Sequence, residues 1–180
     1  FDSGLSHMDA HVVTVSDLLC STLAIPEYQR PYRWEEKNVR QLLDDICTSW
    51  EEEKSLYRID SVILHRYRKD SGWVNDIVDG QQRITTILLI LKALEHNTKT
   101  QLTYNHTDSY KNIYLNYAYI KDWLRENVSG SETDFLKYLL DNCQFVQITV
   151  SDRSEAFQMF DSQNGRGKEL EAYNLLKSYH

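Results

Sequence analysis

The sequence predicts an α+β domain in which a small mixed sheet packs against several helices. Stretches with helical periodicity and short stretches with strand character alternate along one chain. Its 180 residues suffice for a single domain with a real core, and 41% hydrophobic with 26% charged residues is an ordinary globular composition. Only two prolines and six glycines occur, which favours long regular elements over a loop-rich β-sandwich.

The chain begins with a tag-like segment and two short elements. Residues 1–7 resemble the remnant of a cleaved tag, so we expect the native domain to occupy residues 8–180. Residues 12–15 have the character of a short strand or an extended lead-in, and Ser16 is placed to cap a short helix over residues 17–23. The prolines within residues 25–34 exclude a helix there.

A helix and a hairpin are predicted next. Residues 35–54 repeat apolar side chains on one face and start with glutamates, which suit the positive end of a helix. Residues 57–68 contain the apolar run SVIL and predict a strand. Residues 73–78 are its expected hairpin partner across a short polar turn.

Gly80 ends that hairpin, and a helix over residues 82–96 follows. Its apolar side chains cover nearly the whole circumference, which is typical of a central, buried helix. The remaining predicted elements are a helix at 108–127, a helix at 133–142, a strand at 145–150, and a helix at 155–162 capped by Ser154. The helix at 108–127 has one predicted face, formed by Tyr110, Ile113, Tyr114, Tyr117, Ile120 and Leu124. The sequence ends within another helical pattern, so we expect the native protein to continue.

Composition excludes several classes of protein. The net charge of −7 argues against a general nucleic-acid binder, which usually has a basic surface. The three cysteines lie far apart, without metal-ligand spacing, and suit reduced thiols in a cytosolic protein. The most apolar stretch, residues 84–94, is too short to cross a membrane, so we expect a cytoplasmic location. The six histidines are scattered, so we expect no nuclease activity from this chain.

The segment IVDGQQRITT, residues 77–86, is the first candidate site. A strand runs through a glycine turn into the buried helix, whose N-terminus suits an anion. Arg83 adds a bidentate donor for phosphate oxygens, Gln81 and Gln82 are candidates to orient a phosphate or a water, and Asp79 to hold Mg²⁺ or cap the helix. A plain turn beside a surface arginine is the competing interpretation.

Two further segments are candidates for anion or base contacts. FDSQNGRGKEL, residues 160–170, carries glycines that permit an anion-binding turn, or simply a helix C-cap. IPEYQRPYRW, residues 25–34, interleaves aromatic rings with Arg30 and Arg33, which suits base stacking or core packing. A run of basic residues, Arg66 to Lys69, is predicted to protect a solvated edge strand.

Together, three of these segments resemble the N-terminal domain family of GmrSD-type restriction endonucleases. That family combines the patterns IPxYQRxYxW, DGQQRxTT and FxxxNxxGxxL, which stand here in the same order and span nearly the whole native chain. The five-residue run DGQQR followed by threonines is the most specific of them. Where relatives usually have a glycine in the strand, this chain has Asp60, which indicates different local packing or an edge position.

The resemblance implies a ParB/sulfiredoxin-like fold that binds and hydrolyses a nucleoside triphosphate with Mg²⁺. It implies a C-terminal HNH-type nuclease domain outside this chain, with which the domain cuts modified foreign DNA. The residues that it assigns fall into three groups. The expected catalytic residues are Asp79, which also binds the metal, Gln81 and Gln82. The expected nucleotide-binding residues are Gly80, Arg83, Thr85, Asn164, Gly165, Gly167 and Lys168. The expected DNA or base contacts are Tyr28, Gln29, Arg30, Tyr32 and Arg33.

Two functions therefore compete. The first is an NTP-hydrolysing regulatory domain of a modification-dependent restriction protein in phage defence, with Asp79–Arg83 and Asn164–Lys168 facing one cleft that Tyr28 or Arg30 closes. The alternative is a non-enzymatic module that uses Tyr28, Arg30 and Arg33 to recognise modified or altered-backbone DNA. The sequence leaves the oligomeric state, the preferred nucleotide and the DNA modification open.

Overall fold

A computed structural model of the chain describes residues 8–164, which form a five-stranded mixed sheet and six helices, as predicted for an α+β domain. The strands are β1 (Met8–Thr14), β2 (Leu23–Ala24), β3 (Tyr57–Lys69), β4 (Gly72–Asp79) and β5 (Cys143–Val150). The helices are α1 (Val15–Leu18), α2 (Glu36–Glu51), α3 (Gln81–Ala93), α4 (Thr107–Asn127), α5 (Glu132–Asp141) and α6 (Arg153–Asn164). None of these helices is long and apolar enough to cross a membrane.

The sheet has the order β1-β5-β3-β4-β2, with β3 at its centre. β3 pairs with β5 in parallel and with β4 as the predicted antiparallel hairpin. β1 is antiparallel to β5, and β2 is parallel to β4. β3 as a whole is therefore a central strand, so the prediction of an edge strand is wrong for most of its length. Its last residues, Arg66–Lys69, extend beyond the pairing with β5, which stops at His65.

Helices cover the two faces of the sheet unequally. The larger core lies between one face and helices α1–α5, and it includes Val62, Leu64 and Ile77 of the hairpin. α3 is central to it, with Ile84, Ile87, Ile90 and Leu91 at most 1% exposed, which confirms the buried helix after the DGQQR turn. On the other face, a small cluster joins α6 to the sheet through Ile63, Val78, Val150, Ala156 and Phe160.

Three local predictions are corrected. Thr14, not Ser16, caps the first helix by accepting from the Asp17 N–H at 3.0 Å, and α6 begins after Asp152, whose carboxylate accepts from the Ser154 N–H. The predicted face of α4 is confirmed for Ile120 and Leu124, which are buried, and for Ile113 and Tyr117, which pack against the core, but it is wrong for Tyr110 and Tyr114, which are 53% and 74% exposed. The buried residues of that helix are Ser109, Asn116, Ile120, Trp123 and Leu124.

Two of the three cysteines are buried. Burial raises the pKa of the Cys47 thiol to about 11 and that of the Cys143 thiol to about 12. Cys20 is exposed, and all three are free thiols. They therefore behave as the reduced cysteines that their spacing predicts, two of them as core residues.

Candidate functional site

The turn between β4 and α3 depends on Gly80. This residue is the N-cap of α3, with φ of +115° and no side-chain cap. A Cβ atom built on it would lie 2.7 Å from Cγ1 of Val62 on the central strand. Only glycine satisfies both constraints. The helix therefore starts against the sheet from a residue without a side-chain cap, and the N–H groups of its first turn have no intrahelical acceptor.

A cleft of about 290 Å³ opens at this turn. It brings the first two sequence motifs together and adds one residue of the third. Its lining residues are Gln29, Arg30, Pro31, Arg33, Trp34, Asn38, Asp79, Gly80, Gln81, Gln82, Arg83 and Phe160. Segments that lie about 50 residues apart in the chain thus meet at the N-terminus of α3.

The charge of the cleft is opposite to that of the chain. Three arginines, Arg30, Arg33 and Arg83, line it, against one acidic residue, Asp79. In a protein with a net charge of −7, this is a local concentration of positive charge. Together with the partial positive charge at a helix start, it favours an anionic ligand.

Arg83 is held by two neighbours rather than lying free on the surface. One guanidinium nitrogen is 3.0 Å from a carboxylate oxygen of Asp60, and the group lies 5.5 Å from the centre of the Trp34 ring. Asp60 follows an irregularity in the pairing of β3 with β5. Asp60 thus lies on the central strand and not at the predicted edge position. Its carboxylate forms an ion pair with Arg83 of the DGQQR motif.

Gln81 lines the cleft and carries a buried acceptor atom. The residue is 3% exposed, and its side-chain amide donates to the carbonyl oxygen of Arg30 at 2.9 Å and to Oε1 of Gln29 at 3.3 Å. Its own Oε1 is buried and has no hydrogen-bond partner in the described part of the chain. Such an atom costs free energy unless a ligand or water donates to it.

Gln82 holds the 25–34 loop instead of pointing at a ligand. Its Oε1 accepts from the backbone N–H groups of Arg33 and Trp34 at 2.8 and 3.0 Å, and its amide donates to the Pro31 carbonyl at 3.4 Å. Both ends of the side chain are therefore occupied. The structure supports a positioning role for Gln82 rather than the predicted role in catalysis.

Two predicted contact residues lie in the core. Tyr32 is 0% exposed, and its hydroxyl is 2.8 Å from Oγ1 of Thr86 and accepts from Asn116. Burial raises the pKa of Tyr32. Thr85 is 1% exposed, and its hydroxyl is 2.9 Å from that of Tyr104, whose pKa burial raises to about 12. Both assignments as ligand contacts are corrected, since neither side chain reaches the cleft.

The 25–34 loop separates two cavities. Gln29, Arg30 and Arg33 line the cleft, and the Gln29 amide donates to the Val78 carbonyl at 2.6 Å. Tyr28 instead lines a wide groove of about 880 Å³ together with residues of the hairpin. The Arg153 guanidinium lies 5.3 Å from the centre of the Tyr28 ring. Of the two residues expected to close the cleft, Arg30 lines it and Tyr28 does not.

The third motif is represented in the cleft by Phe160. This residue is 4% exposed and anchors α6 on the sheet. Asn164 is the last residue of α6, but its side chain, like Gly165, Gly167 and Lys168, lies outside the described residues. The expected contact between Asn164 and the ligand of Arg83 therefore stays a prediction.

Residues outside the predicted set also shape the site. Asn38 lines the cleft, and its Oδ1 accepts from the Glu35 N–H at 2.9 Å as part of a capping box at the start of α2. Trp34, Asn38 and Arg83 line both the cleft and an adjoining cavity of about 230 Å³. The spacing Glu35-x-x-Asn38 is a signal for the cap, whereas no local pattern shows that Asn38 reaches a cleft.

The carboxylates of the described residues do not form a preassembled metal cage. No group of three or more His, Cys, Asp or Glu side chains within residues 8–164 could hold a metal ion. Asp79 is the acidic residue among those that line the cleft. Mg²⁺ commonly uses one or two carboxylates and completes its shell with phosphates and water, so this donor set fits Mg²⁺ that arrives with a phosphate ligand.

A comparison with family models agrees with the motifs that meet in this cleft. The model described as the GmrSD restriction endonuclease, N-terminal domain, matches residues 15–180. The chain belongs to this family. A GmrSD N-terminal domain is part of a restriction system, and the confirmed resemblance extends over all three motifs. Among curated proteins, no significant match is found.

Proposed function

We propose that the cleft at the start of α3 binds a nucleoside triphosphate with Mg²⁺ and hydrolyses it. The observation that carries this proposal is the convergence of three arginines and an uncapped helix N-terminus around one carboxylate. An anion as highly charged as a triphosphate needs several such donors at once.

Backbone groups and arginine side chains would both contribute to phosphate binding. The backbone N–H groups of the first turn of α3 donate to phosphate oxygens. Because Gly80 has no Cβ, the turn that precedes these groups can lie close to Val62. Arg83 stabilises charge that develops in phosphoryl transfer, and it exchanges its Asp60 partner for phosphate when the ligand enters. Arg30 and Arg33 form the opposite wall.

Asp79 and Gln81 would position the metal ion and the attacking water. Mg²⁺, when bound, neutralises phosphate charge, and Asp79 is the residue that would hold it. The unpartnered Oε1 of Gln81 accepts a hydrogen bond from the attacking water and so orients it toward the terminal phosphate. The other end of the Gln81 amide is fixed on Arg30, which keeps that oxygen in place.

The nucleoside occupies the adjoining cavity. This cavity shares Trp34, Asn38 and Arg83 with the cleft, and it is also lined by Tyr57 and Asp45. Aromatic side chains stack on bases, and a carboxylate accepts from base amino groups. Arg83 lines both cavities, so a ligand that extends from one into the other would contact this residue.

In the full-length protein, we propose that the nucleotide state of this domain controls a C-terminal nuclease that cuts modified DNA. The alternative, a non-enzymatic sensor built from Tyr28, Arg30 and Arg33, requires these side chains to form one surface. They line two different cavities instead, Tyr28 one and the arginines the other. The nucleotide site therefore has the better geometric support.

The direct test is a thermal-denaturation screen of the chain with ATP, GTP, CTP and UTP, each with Mg²⁺. At least one should raise the melting temperature, because a ligand at about 100 times its Kd stabilises the native state by about 2.7 kcal/mol. Arg83→Ala should abolish that increase and leave the protein folded. The matched control is Arg125→Ala, since Arg125 is also a helical arginine in an exposed ion pair.

Hydrolysis is tested separately by the release of inorganic phosphate. Gln81→Ala should keep the nucleotide-dependent stabilisation but lose most of the turnover, a loss in kcat rather than in KM. An unchanged melting temperature with all four nucleotides would refute the proposal. Equal stabilisation of Arg83→Ala and the unsubstituted chain would refute the assignment of Arg83.

A further inference from the structure

The tip of the β3–β4 hairpin is a basic ribbon that extends beyond the sheet. The β5 partner of β3 ends at His65, and β2 pairs with β4 only at Asn75 and Asp76. Residues 67–69 and 72–74 therefore pair only with each other among the described strands, and Arg66 pairs with Asn75 just before them. We define these residues and their turn as the ribbon.

Positive charge is concentrated on this ribbon. Arg66, Arg68 and Lys69 are all exposed, and Asp70 in the turn is the one carboxylate of the segment. No carboxylate within residues 8–164 lies at ion-pair distance from the three basic groups, in contrast to Arg83 and Arg125. Because the chain has seven more acidic than basic residues, such a cluster is an exception to its surface.

Trp73 orders the two arginines. It lies directly opposite Arg68 in the hairpin, and the residue is 46% exposed. The guanidinium of Arg66 is 4.7 Å from the centre of this ring, and that of Arg68 is 5.1 Å from it. Contacts of this kind hold the guanidinium groups on one face and reduce the entropy that they lose on binding.

We infer that the ribbon binds the phosphate backbone of duplex DNA. A two-stranded β-ribbon fits the major groove, which is about 12 Å wide and about 8.5 Å deep. Four residues of strand span about 13 Å, which suffices to enter it. Arg66 and Arg68 contact phosphates from one face of the ribbon and Lys69 from the other.

This surface is distinct from the nucleotide cleft, and the inference does not rest on the proposed hydrolysis. None of the ribbon residues lines the cleft or the adjoining cavity. Contacts to phosphate oxygens carry no sequence information directly, so the binding inferred here is independent of sequence. The phosphate contacts position the domain on DNA.

The test measures the affinity of the chain for a short fluorescein-labelled duplex by anisotropy at several NaCl concentrations. Three phosphate contacts predict that the affinity falls about 40-fold between about 50 and about 200 mM salt. Arg66→Ala/Arg68→Ala leaves one contact, so its affinity should fall only about 3-fold over the same range. The matched control is Lys111→Ala/Lys121→Ala, which removes two exposed charges of α4 and should keep the original slope.

Circular dichroism and thermal denaturation establish that the double variant is folded. If the variant and the control show the same salt dependence, the ribbon does not bind DNA and the inference is wrong. It is also wrong if the duplex does not bind at all. Self-association that is lost in Arg66→Ala/Arg68→Ala, with no change in DNA binding, would assign the ribbon to an acidic surface of a second copy instead.

Discussion

Gly80 is the residue on which the geometry of the cleft depends most directly. Its positive φ and the 2.7 Å approach of a built Cβ to Val62 are two separate obstacles to substitution. Gly80→Ala should therefore lower the free energy of unfolding by about 2–5 kcal/mol, which combines left-handed strain with overpacking. Urea denaturation measures this loss.

Gly130 provides the control for the strain alone. It also has a positive φ, +86°, but a Cβ atom there would meet nothing within 4 Å. Gly130→Ala should cost about 1 kcal/mol, the conformational part only. If the two substitutions were equally costly, the contact with Val62 would contribute nothing and the tight approach of the turn to the sheet would be contradicted.

Asp76 sets a pH dependence of stability. Burial raises its pKa, although the Tyr67 hydroxyl donates to it at 3.2 Å. A raised folded-state pKa means that the folded protein holds this proton more tightly than the unfolded chain. The contribution to stability is thus complete below the unfolded pKa, about 3.9, and is lost as the pH rises through the folded pKa.

Asp76→Asn replaces the ionisable carboxyl by a neutral amide, so stability is no longer lost when the pH rises. The variant should therefore be more stable than the unsubstituted chain at pH 7. The difference should shrink as the pH falls toward about 4. Urea denaturation at a series of pH values gives the comparison. Asp70→Asn, which changes an exposed carboxylate of the same hairpin, should have little effect. A variant less stable than the unsubstituted chain at pH 7 would contradict the role assigned to burial.

At the scale of elements, the 25–34 loop owes its shape to side chains of α3. Gln82 supplies the acceptor for two consecutive backbone N–H groups, those of Arg33 and Trp34. Gln82→Ala leaves both without that acceptor and should cost about 1–3 kcal/mol of unfolding free energy. Gln82→Glu keeps the acceptor and loses only the long bond to Pro31, so it should cost less.

Differential urea denaturation of the two Gln82 variants checks this prediction. The order of their stabilities carries the information, because both remove the same amide group. If Gln82→Glu were the more destabilised of the two, the loop would depend on the amide as a donor rather than as an acceptor. The positioning role of Gln82 would then need to be reassigned to its bond with the Pro31 carbonyl.

Local periodicity predicted the helices and the hairpin, but not which strands are neighbours. The buried helix and the β3–β4 pair follow from patterns within about 20 residues. The central place of β3 depends on parallel pairing with β5, which lies more than 80 positions later in the chain. No pattern within residues 57–69 distinguishes a central strand with a projecting tip from an edge strand.

The packed face of α4 shows the same limit for side chains. Helical spacing predicted one face, and Ile120 and Leu124 on that face are buried, yet Asn116 is buried as well and Tyr114 is exposed. Asn116 turns inward because it donates to the Tyr32 hydroxyl and to the Trp34 carbonyl. A buried polar residue with two partners can thus rotate a helix away from the face that hydropathy indicates.

Across the whole molecule, the motifs predicted which segments form the site and not what each residue does there. DGQQR and the 25–34 loop meet because Gln81 and Gln82 bond to the backbone of that loop. The neighbouring glutamines thus have different roles: Gln81 has a buried acceptor without a partner, and both ends of the Gln82 amide are hydrogen-bonded. Only the tertiary position separates them, as it separates Arg30 in the cleft from Tyr32 in the core.

The last prediction concerns the link between the minor core and the cleft. Phe160 is buried on the face of the sheet that α6 covers, and it also lines the cleft. Phe160→Ala should lower the unfolding free energy by about 3–5 kcal/mol. Because typical domains have about 5–15 kcal/mol, enough stability should remain to measure ligand binding. The cleft should lose a wall, so the nucleotide-dependent rise in melting temperature should decrease.

Phe157→Ala is the control on the same helix, because Phe157 is partly buried against the same cluster and does not line the cleft. It should cost less stability and keep the full nucleotide-dependent rise. Both rises are measured from each variant's own melting temperature without ligand. Equal rises in the two variants would show that α6 supports the fold alone. A reduced rise in Phe160→Ala only would establish that the helix carrying the third motif completes the site built by the first two.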